Sequence, residues 1–566
     1  MCGICGFTGK KDRKTLEAMN KVLSHRGPDD AGFYDDDIVS LGHRRLSIID
    51  LSEQARQPMC NEDSSVWLVV NGEIYNFRSL RKDLVSLGHT FRSQSDSETI
   101  VHAYEEYGED FVLKLDGMFA IAVWDAEQKK LILARDRIGI KPLYYAFSNE
   151  KLLFASEIKS ILQDSTFNKE INPDGFFQYL AFQCIITSET MFKGIYKLEP
   201  GSMLIYRDNG FKKRKYWSLE ESLTHETKEK DVAEALRNAV QTHLVSDVPV
   251  GVLLSGGLDS SAIVALMHGQ GIENIETFTV GFNQPDDELV FARAVAEQFK
   301  TRHHELIVEP ARLAELLEKI VWHMDEPLAD GGAIATYLAA AKVREFVKVV
   351  LVGEGGDETL AGYNWYRLAN FPLSLLPQKA KRRLYFYLTT FYKGDSPKPF
   401  DIFLNLFEEK RDFLDSMASF EIKNILPNSL LMKVDKMTMA HSLEARVPFL
   451  DHKFVSAALG LAGDKKISLF STKIFLRNYM QNRLPKSILQ RRKHGFIMPI
   501  GKWLDNELYS FAHDTLCSGN SYLTGVLPRN RIEGLFNKEK GLRAIENKSL
   551  LWKLLIFEIW QRQYLG

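Results

Sequence analysis

Val250-Gly251-Val252-Leu253-Leu254-Ser255-Gly256-Gly257-Leu258-Asp259-Ser260-Ser261 is the stretch from which the rest of the chain can be read. A short apolar run ends in a serine and two glycines, and Ala262–Met267 continues as an apolar, helix-favouring segment. That pattern predicts a strand, a glycine turn and a helix start. Such a turn aims backbone N–H groups and a helix N-terminus at one point, which suits a phosphate. The common phosphate-binding loop is excluded, because no G-x-x-x-x-G-K-[ST] is present and no lysine follows the glycines. A bare carboxylate at Asp259 would repel phosphate, so its presence there calls for a bridging divalent cation. The plainer alternative is an ordinary strand-to-helix turn with Gly-Gly for tight packing.

Outward from this loop, strands and helices alternate. A helix with Val232, Leu236, Ala239, Val240 and Leu244 at 3–4 spacing precedes it. After it come strands over 275–282 and 304–308, helices over 311–323 and 333–346, and a strand over 347–352. The order predicts an α/β fold with a doubly wound parallel sheet, whose ligands sit at the C-terminal ends of strands. Gly353-Glu354-Gly355-Gly356-Asp357-Glu358 follows the last strand, and Val280-Gly281-Phe282 supplies a third wall. Asp259 and Asp357 are then candidates to share a Mg²⁺, and Glu354 is a candidate general base. The plainer alternative for 353–358, read alone, is a solvated acidic turn.

At 566 residues the chain is long enough for two or more domains, and 45% hydrophobic with 26% charged content is ordinary for a globular protein. A net charge of −2 argues against nucleic acid or an anionic membrane as a general partner. Five cysteines make no disulfide framework, which favours a reducing cytoplasmic setting. No signal peptide is seen. The apolar tail 550–565 is interrupted by Lys553, Glu558 and Arg562, so it reads as a helix packed on the second domain.

The chain opens Met1-Cys2-Gly3-Ile4-Cys5-Gly6. Removal of Met1 would leave a thiol and a free α-amine on one residue, so that Cys2 carries nucleophile and base together. A buried structural thiol, or half of a zinc site with Cys5, are the alternatives. No second C-x-x-C or paired histidine follows at zinc spacing. His25–Asp30 is a polar turn, Gly42–Asp50 a strand with arginines, and Val66–Val70 a strand ending at Asn71-Gly72-Glu73. Ser95-Asp96-Ser97-Glu98 opens a helix with capping chemistry. Taken singly, Asn71-Gly72 is a hairpin signal, Asp96 a cap and Arg45 a solvated strand residue.

Together these segments, with Asp116–Phe119 and Ala134–Tyr145, resemble the class II glutamine amidotransferase domain. That likeness implies an N-terminal nucleophile (Ntn) αββα sandwich over residues 1–206. It implies that Cys2 attacks the carboxamide of glutamine, with Asn71 and Gly72 as oxyanion hole. Arg45 and Asp96 would meet the α-carboxylate and α-ammonium, and Leu46, Ser47, Ile48, Ile49 and Glu73 would hold the rest. A connector over 207–230 and a second domain over 231–566 follow.

In that second domain the loop at 255–260 resembles those of enzymes that cleave ATP to AMP and pyrophosphate. Asp435–Asp451, with its Glu444-Ala-Arg446-Val-Pro448 core, and Arg491–Phe496 extend the likeness. From Cys2 to the end the chain is similar to glutamine-hydrolysing asparagine synthetases and their close relatives. The likeness implies adenylation of aspartate by ATP with Mg²⁺, then attack by ammonia carried internally from Cys2. Leu253, Ser255, Gly256, Gly257, Asp259, Ser260, Val280, Val352 and Gly353 would bind ATP. Glu354 would take a proton from ammonia, and Lys493 would offset charge on the leaving pyrophosphate. The Glu444–Arg446 pair reads as structural. The family also contains enzymes that amidate carboxylates of surface sugars or peptides, and many relatives are homodimers.

Overall fold

The computed structural model describes residues 2–566 except 223–225, 282–287, 308–311, 371–372, 391–395, 492–497, 520 and 538. Its first 215 residues build two six-stranded antiparallel sheets. Gly3–Thr8 lies inside the first sheet, between Val39–Arg45 and Lys151–Ala155. Val66–Ile74 and Gly117–Asp125 pair through nine residues in the second.

Strand alternation explains the layering. Along Gly117–Asp125, Ala120, Ala122 and Trp124 face a core shared with Ile4, Val39 and Leu41 of the other sheet. Phe119, Ile121 and Val123 face outward under helices. Both faces are apolar because both are covered, which yields the αββα sandwich.

The expected connector 207–230 is corrected at its start. Ser202–Arg207 and Gly210–Lys215 pair as a hairpin that forms the edge of the second sheet. Asp208 and Asn209 both take positive φ, 53° and 59°. That is the two-residue turn whose twist suits adjacent strands. The basic run 212–215 is therefore an edge strand, where exposed lysines discourage pairing with another chain.

The second half holds a five-stranded parallel sheet in the order Arg302–Ile307, Glu276–Gly281, Val250–Leu253, Val349–Leu351, Glu444–Arg446. Val252 and Leu351 face one helical layer, Phe278 and Val350 the other. The order of strands reverses between Val250–Leu253 and Val349–Leu351, where a crevice opens at the C-terminal ends. Residues 444–446, read only as an ion pair, add the fifth strand.

A helical region follows and ends in the helix Leu542–Tyr564. That helix packs on both halves. Tyr179 donates its hydroxyl to the Lys553 carbonyl at 2.7 Å, and Trp560 Nε1 donates to the Asp325 carbonyl at 2.6 Å. Among the described residues, no helix is long and apolar enough to cross a membrane.

Candidate active site

Cys2 is 7% exposed at the head of Gly3–Thr8. Its N–H donates to Asn71 Oδ1 at 3.0 Å. That bond fixes the amide while Asn71 Nδ2, fully buried, has no hydrogen-bond partner among the described residues. A buried donor left open in this way costs stability unless a ligand oxygen meets it. Next to it, a Cβ at Gly72 would lie 2.2 Å from the Met118 carbonyl, so only glycine allows the two strands to run this close. Burial pushes the Cys2 thiol above its ordinary pKa, a hydrogen bond from the Leu46 backbone pulls it down, and Glu73 and Arg45 act in opposite senses.

The other residues expected around glutamine converge here. Arg45 ends its strand with the guanidinium donating to the carbonyls of Ser52, at 2.8 Å, and Asp50. Leu46, Ile48 and Ile49 are buried and Ser47 is half-buried. The second half of the chain holds this loop: Asp50 N–H donates to Asp247 at 2.8 Å, and Asp247 N–H to the Ile48 carbonyl at 3.0 Å. Asp96 accepts from Ile74 N–H at 2.8 Å, and burial raises its pKa. Glu73 is raised well above the carboxylate range by burial, then by Glu444 and Asp96, against the pull of Arg446 at 3.5 Å.

Arg26 was not singled out in the sequence. Fully buried, it donates to the Cys2 carbonyl at 3.0 Å, to Glu157 at 2.9 Å and to Asp435 at 2.8 Å. It thereby ties the thiol residue to the second half of the chain.

At the crevice of the parallel sheet lies a cleft of about 370 Å³. Leu253, Ser255, Gly257, Asp259, Ser260, Val280, Val352 and Gly353 line it, as do Glu354 and Asp357. Gly256 does not line it; it makes the turn with φ +64°, where a Cβ would meet Phe291 Cβ at 2.6 Å. Ser255 and Ser260 hydroxyls lie 3.1 Å apart and brace the loop at the start of Leu258–Gly269. The glycines of 353–356 let the second loop abut the first: a Cβ at Gly356 would stand 2.8 Å from Asp259 Oδ1.

Asp259 and Asp357 converge on one ammonium. Lys473 Nζ is 2.5 Å from Asp259 Oδ2 and 2.7 Å from Asp357 Oδ1. Burial would lower the Lys473 pKa, but the two carboxylates together raise it. Two carboxylates that already share one cation fit a divalent ion beside a phosphate loop. Lys493 lies outside the described residues. Arg491, from the same motif, donates to the Ser255 carbonyl at 3.3 Å, which puts the start of that motif on the loop.

Across the cleft, Lys433 Nζ is 2.6 Å from Asp330 Oδ2. Burial opposes charge on Lys433, yet Asp330, Glu354 and Glu358 raise its pKa on balance. Neither Lys433 nor Asp330 stands in a motif recognisable from spacing.

The asparagine synthase family model matches residues 231–562, and a glutamine amidotransferase domain model matches residues 1–217. The chain is 33% identical to glutamine-hydrolyzing asparagine synthetase 1 of Bacillus subtilis, over 99% of this chain and 96% of the relative. Identity is 33% to asparagine synthetase 3 of the same organism, over 87% and 86% of the two chains. It is 32% to asparagine synthetase 2 of Arabidopsis thaliana, over 94% and 84%. Likeness carried at this level through both halves makes the chain a member of the asparagine synthase family, an ATP-dependent, glutamine-hydrolysing ligase that forms amides.

Proposed function

We propose that this chain makes asparagine from aspartate. Glutamine binds between Arg45 and Asp96, and the Cys2 thiol attacks its carboxamide carbon. The new oxyanion is met by Asn71 Nδ2 and the Gly72 N–H. The α-amine takes the thiol proton and passes it to departing ammonia, leaving a thioester that water hydrolyses to glutamate.

In the cleft, the loop 255–260 holds ATP. The side-chain carboxylate of aspartate attacks the α-phosphorus, which gives β-aspartyl-AMP and pyrophosphate. Asp259 and Asp357 would hold Mg²⁺, which neutralises phosphate charge when bound. Lys473, already beside both carboxylates, is the described cation best placed to steady the leaving pyrophosphate; Lys493 keeps that role as a second candidate. Ammonia reaches the acyl-adenylate inside the protein, and Glu354 accepts its proton as the amide forms.

The observation that carries the choice of acceptor is the Lys433–Asp330 pair on the cleft wall. A fixed ammonium beside a fixed carboxylate complements the α-carboxylate and α-ammonium of a free amino acid. A sugar acid or a peptide side chain presents no such pair. The test is release of AMP and pyrophosphate by purified protein with ATP, Mg²⁺ and ammonia against a panel of acids. Aspartate should give stoichiometric AMP and asparagine. AMP formed with uronic acids or peptides and not with aspartate would overturn the assignment.

A further inference from the structure

Away from both sites, the first domain gathers two histidines among carboxylates. Glu62, His89 and His102 each offer one ligand atom, all within 4.8 Å of one another. Outside that mutually close set of three, Glu105 Oε2 stands 2.9 Å from His102 Nδ1 and 3.6 Å from His89 Nδ1. Glu62 Oε2 is 3.9 Å from His102 Nδ1. Zinc bonds of about 2.0–2.1 Å place the corners of a tetrahedron roughly 3.3 Å apart, so small side-chain shifts suffice for closure.

The carboxylates are held for this arrangement. Glu62 Oε1 accepts from Thr90 N–H at 3.0 Å and Glu105 Oε1 accepts from Asn61 Nδ2 at 2.8 Å. In both residues, one oxygen is anchored and the other faces the imidazoles. His102 is 1% exposed, and its Nε2, 3.8 Å from Glu98 Oε1, has no hydrogen-bond partner among the described residues. A carboxylate behind a ligating histidine is the usual outer support of a zinc site. Glu98 and Glu106 bring the acids near the two rings to four. Arg92 turns its Nη2 to the carbonyls of Asn61 and Glu62. Negative charge is thus in excess where a cation would sit.

We propose that Glu62, His89, His102 and Glu105 form a structural site for a zinc-like divalent cation. It would staple together the turn after Met59–Cys60, the loop that starts at Gly88, and the helix Glu98–Tyr107. That loop runs on to Asp96, so the metal fixes its near end.

The test uses full-length protein carrying Cys2→Ala, to remove the reactive thiol, stripped with EDTA and returned to Mg²⁺ buffer. Titration with ZnSO₄ by calorimetry should give one Zn²⁺ per chain and raise the thermal unfolding midpoint. His89→Ala should lose at least 100-fold in affinity and the rise in midpoint. Glu62→Gln should weaken binding about tenfold. Equal zinc uptake with and without His89, or no uptake by the parent, would overturn the site.

Discussion

Lys473, buried beside Asp259 and Asp357, is the residue whose removal is most revealing. Its neighbours Ser471, Thr472 and Ile474 carry no motif, and its φ of +53° puts it at a turn before a helix. Only the fold sets it against Asp259, which lies 214 residues earlier. Lys473→Met removes the ammonium that Asp259 and Asp357 share. Pyrophosphate release should fall by 100-fold or more, while glutamine hydrolysis at Cys2 stays within about twofold. The paired assay checks it: similar losses in both activities would show that Lys473 supports the fold instead. By contrast Asp259 and Glu354 stand in glycine loops that the sequence marks, whereas Cys2 and Asn71 stand out only through the family likeness, Asn71 lying inside the strand Val66–Ile74.

Behind the acidic loop, the helix Phe413–Phe420 runs into a π-helical turn over Glu421–Ile425. Such a turn adds a residue and swings a side chain inward. Here it buries Glu421, which accepts from the Tyr385 hydroxyl at 2.6 Å. Burial, reinforced by nearby Glu358, raises its pKa to about 8. The unfolded chain releases this proton near pH 4.5, whereas the folded chain keeps it to about 8. The stabilisation is therefore whole below the lower value and lost as pH rises through the upper one. Glu421→Gln keeps a neutral group and removes the titration. Between pH 6 and 8 the wild type should lose on the order of 2 kcal/mol more than the variant. Parallel thermal-unfolding curves across that range would refute the buried neutral acid. Elements differ in how well sequence foretold them. The strand at 250–253 came through because apolar residues ended at a glycine turn, and the start of the expected connector at 207 misled because a hairpin and a connector share turn residues.

At the scale of the molecule, what joins the halves is a chain of buried charges. Arg26 meets Glu157 and Asp435; Lys159 meets Glu157 at 2.5 Å and Asp325 at 2.7 Å; Lys436 meets Asp325 at 3.0 Å. No sequence pattern announces these pairs, since Arg26 reaches partners 131 and 409 residues away. A guanidinium suits the position because its planar fork serves three acceptors in three directions, one of them the Cys2 carbonyl. Arg26→Met leaves Glu157 and Asp435 each short of a partner in the interior, and should cost about 3–5 kcal/mol. Arg26→Lys restores the charge as a single point that cannot span the same three oxygens. It should recover most of that stability, yet release the Cys2 backbone from its anchor. Glutamine-dependent synthesis should then drop about tenfold while ammonia-supported synthesis holds, because the cleft residues are untouched. If both activities fell together in Arg26→Lys, the arginine would be joining the halves without positioning the thiol. If neither fell, charge alone would account for its place.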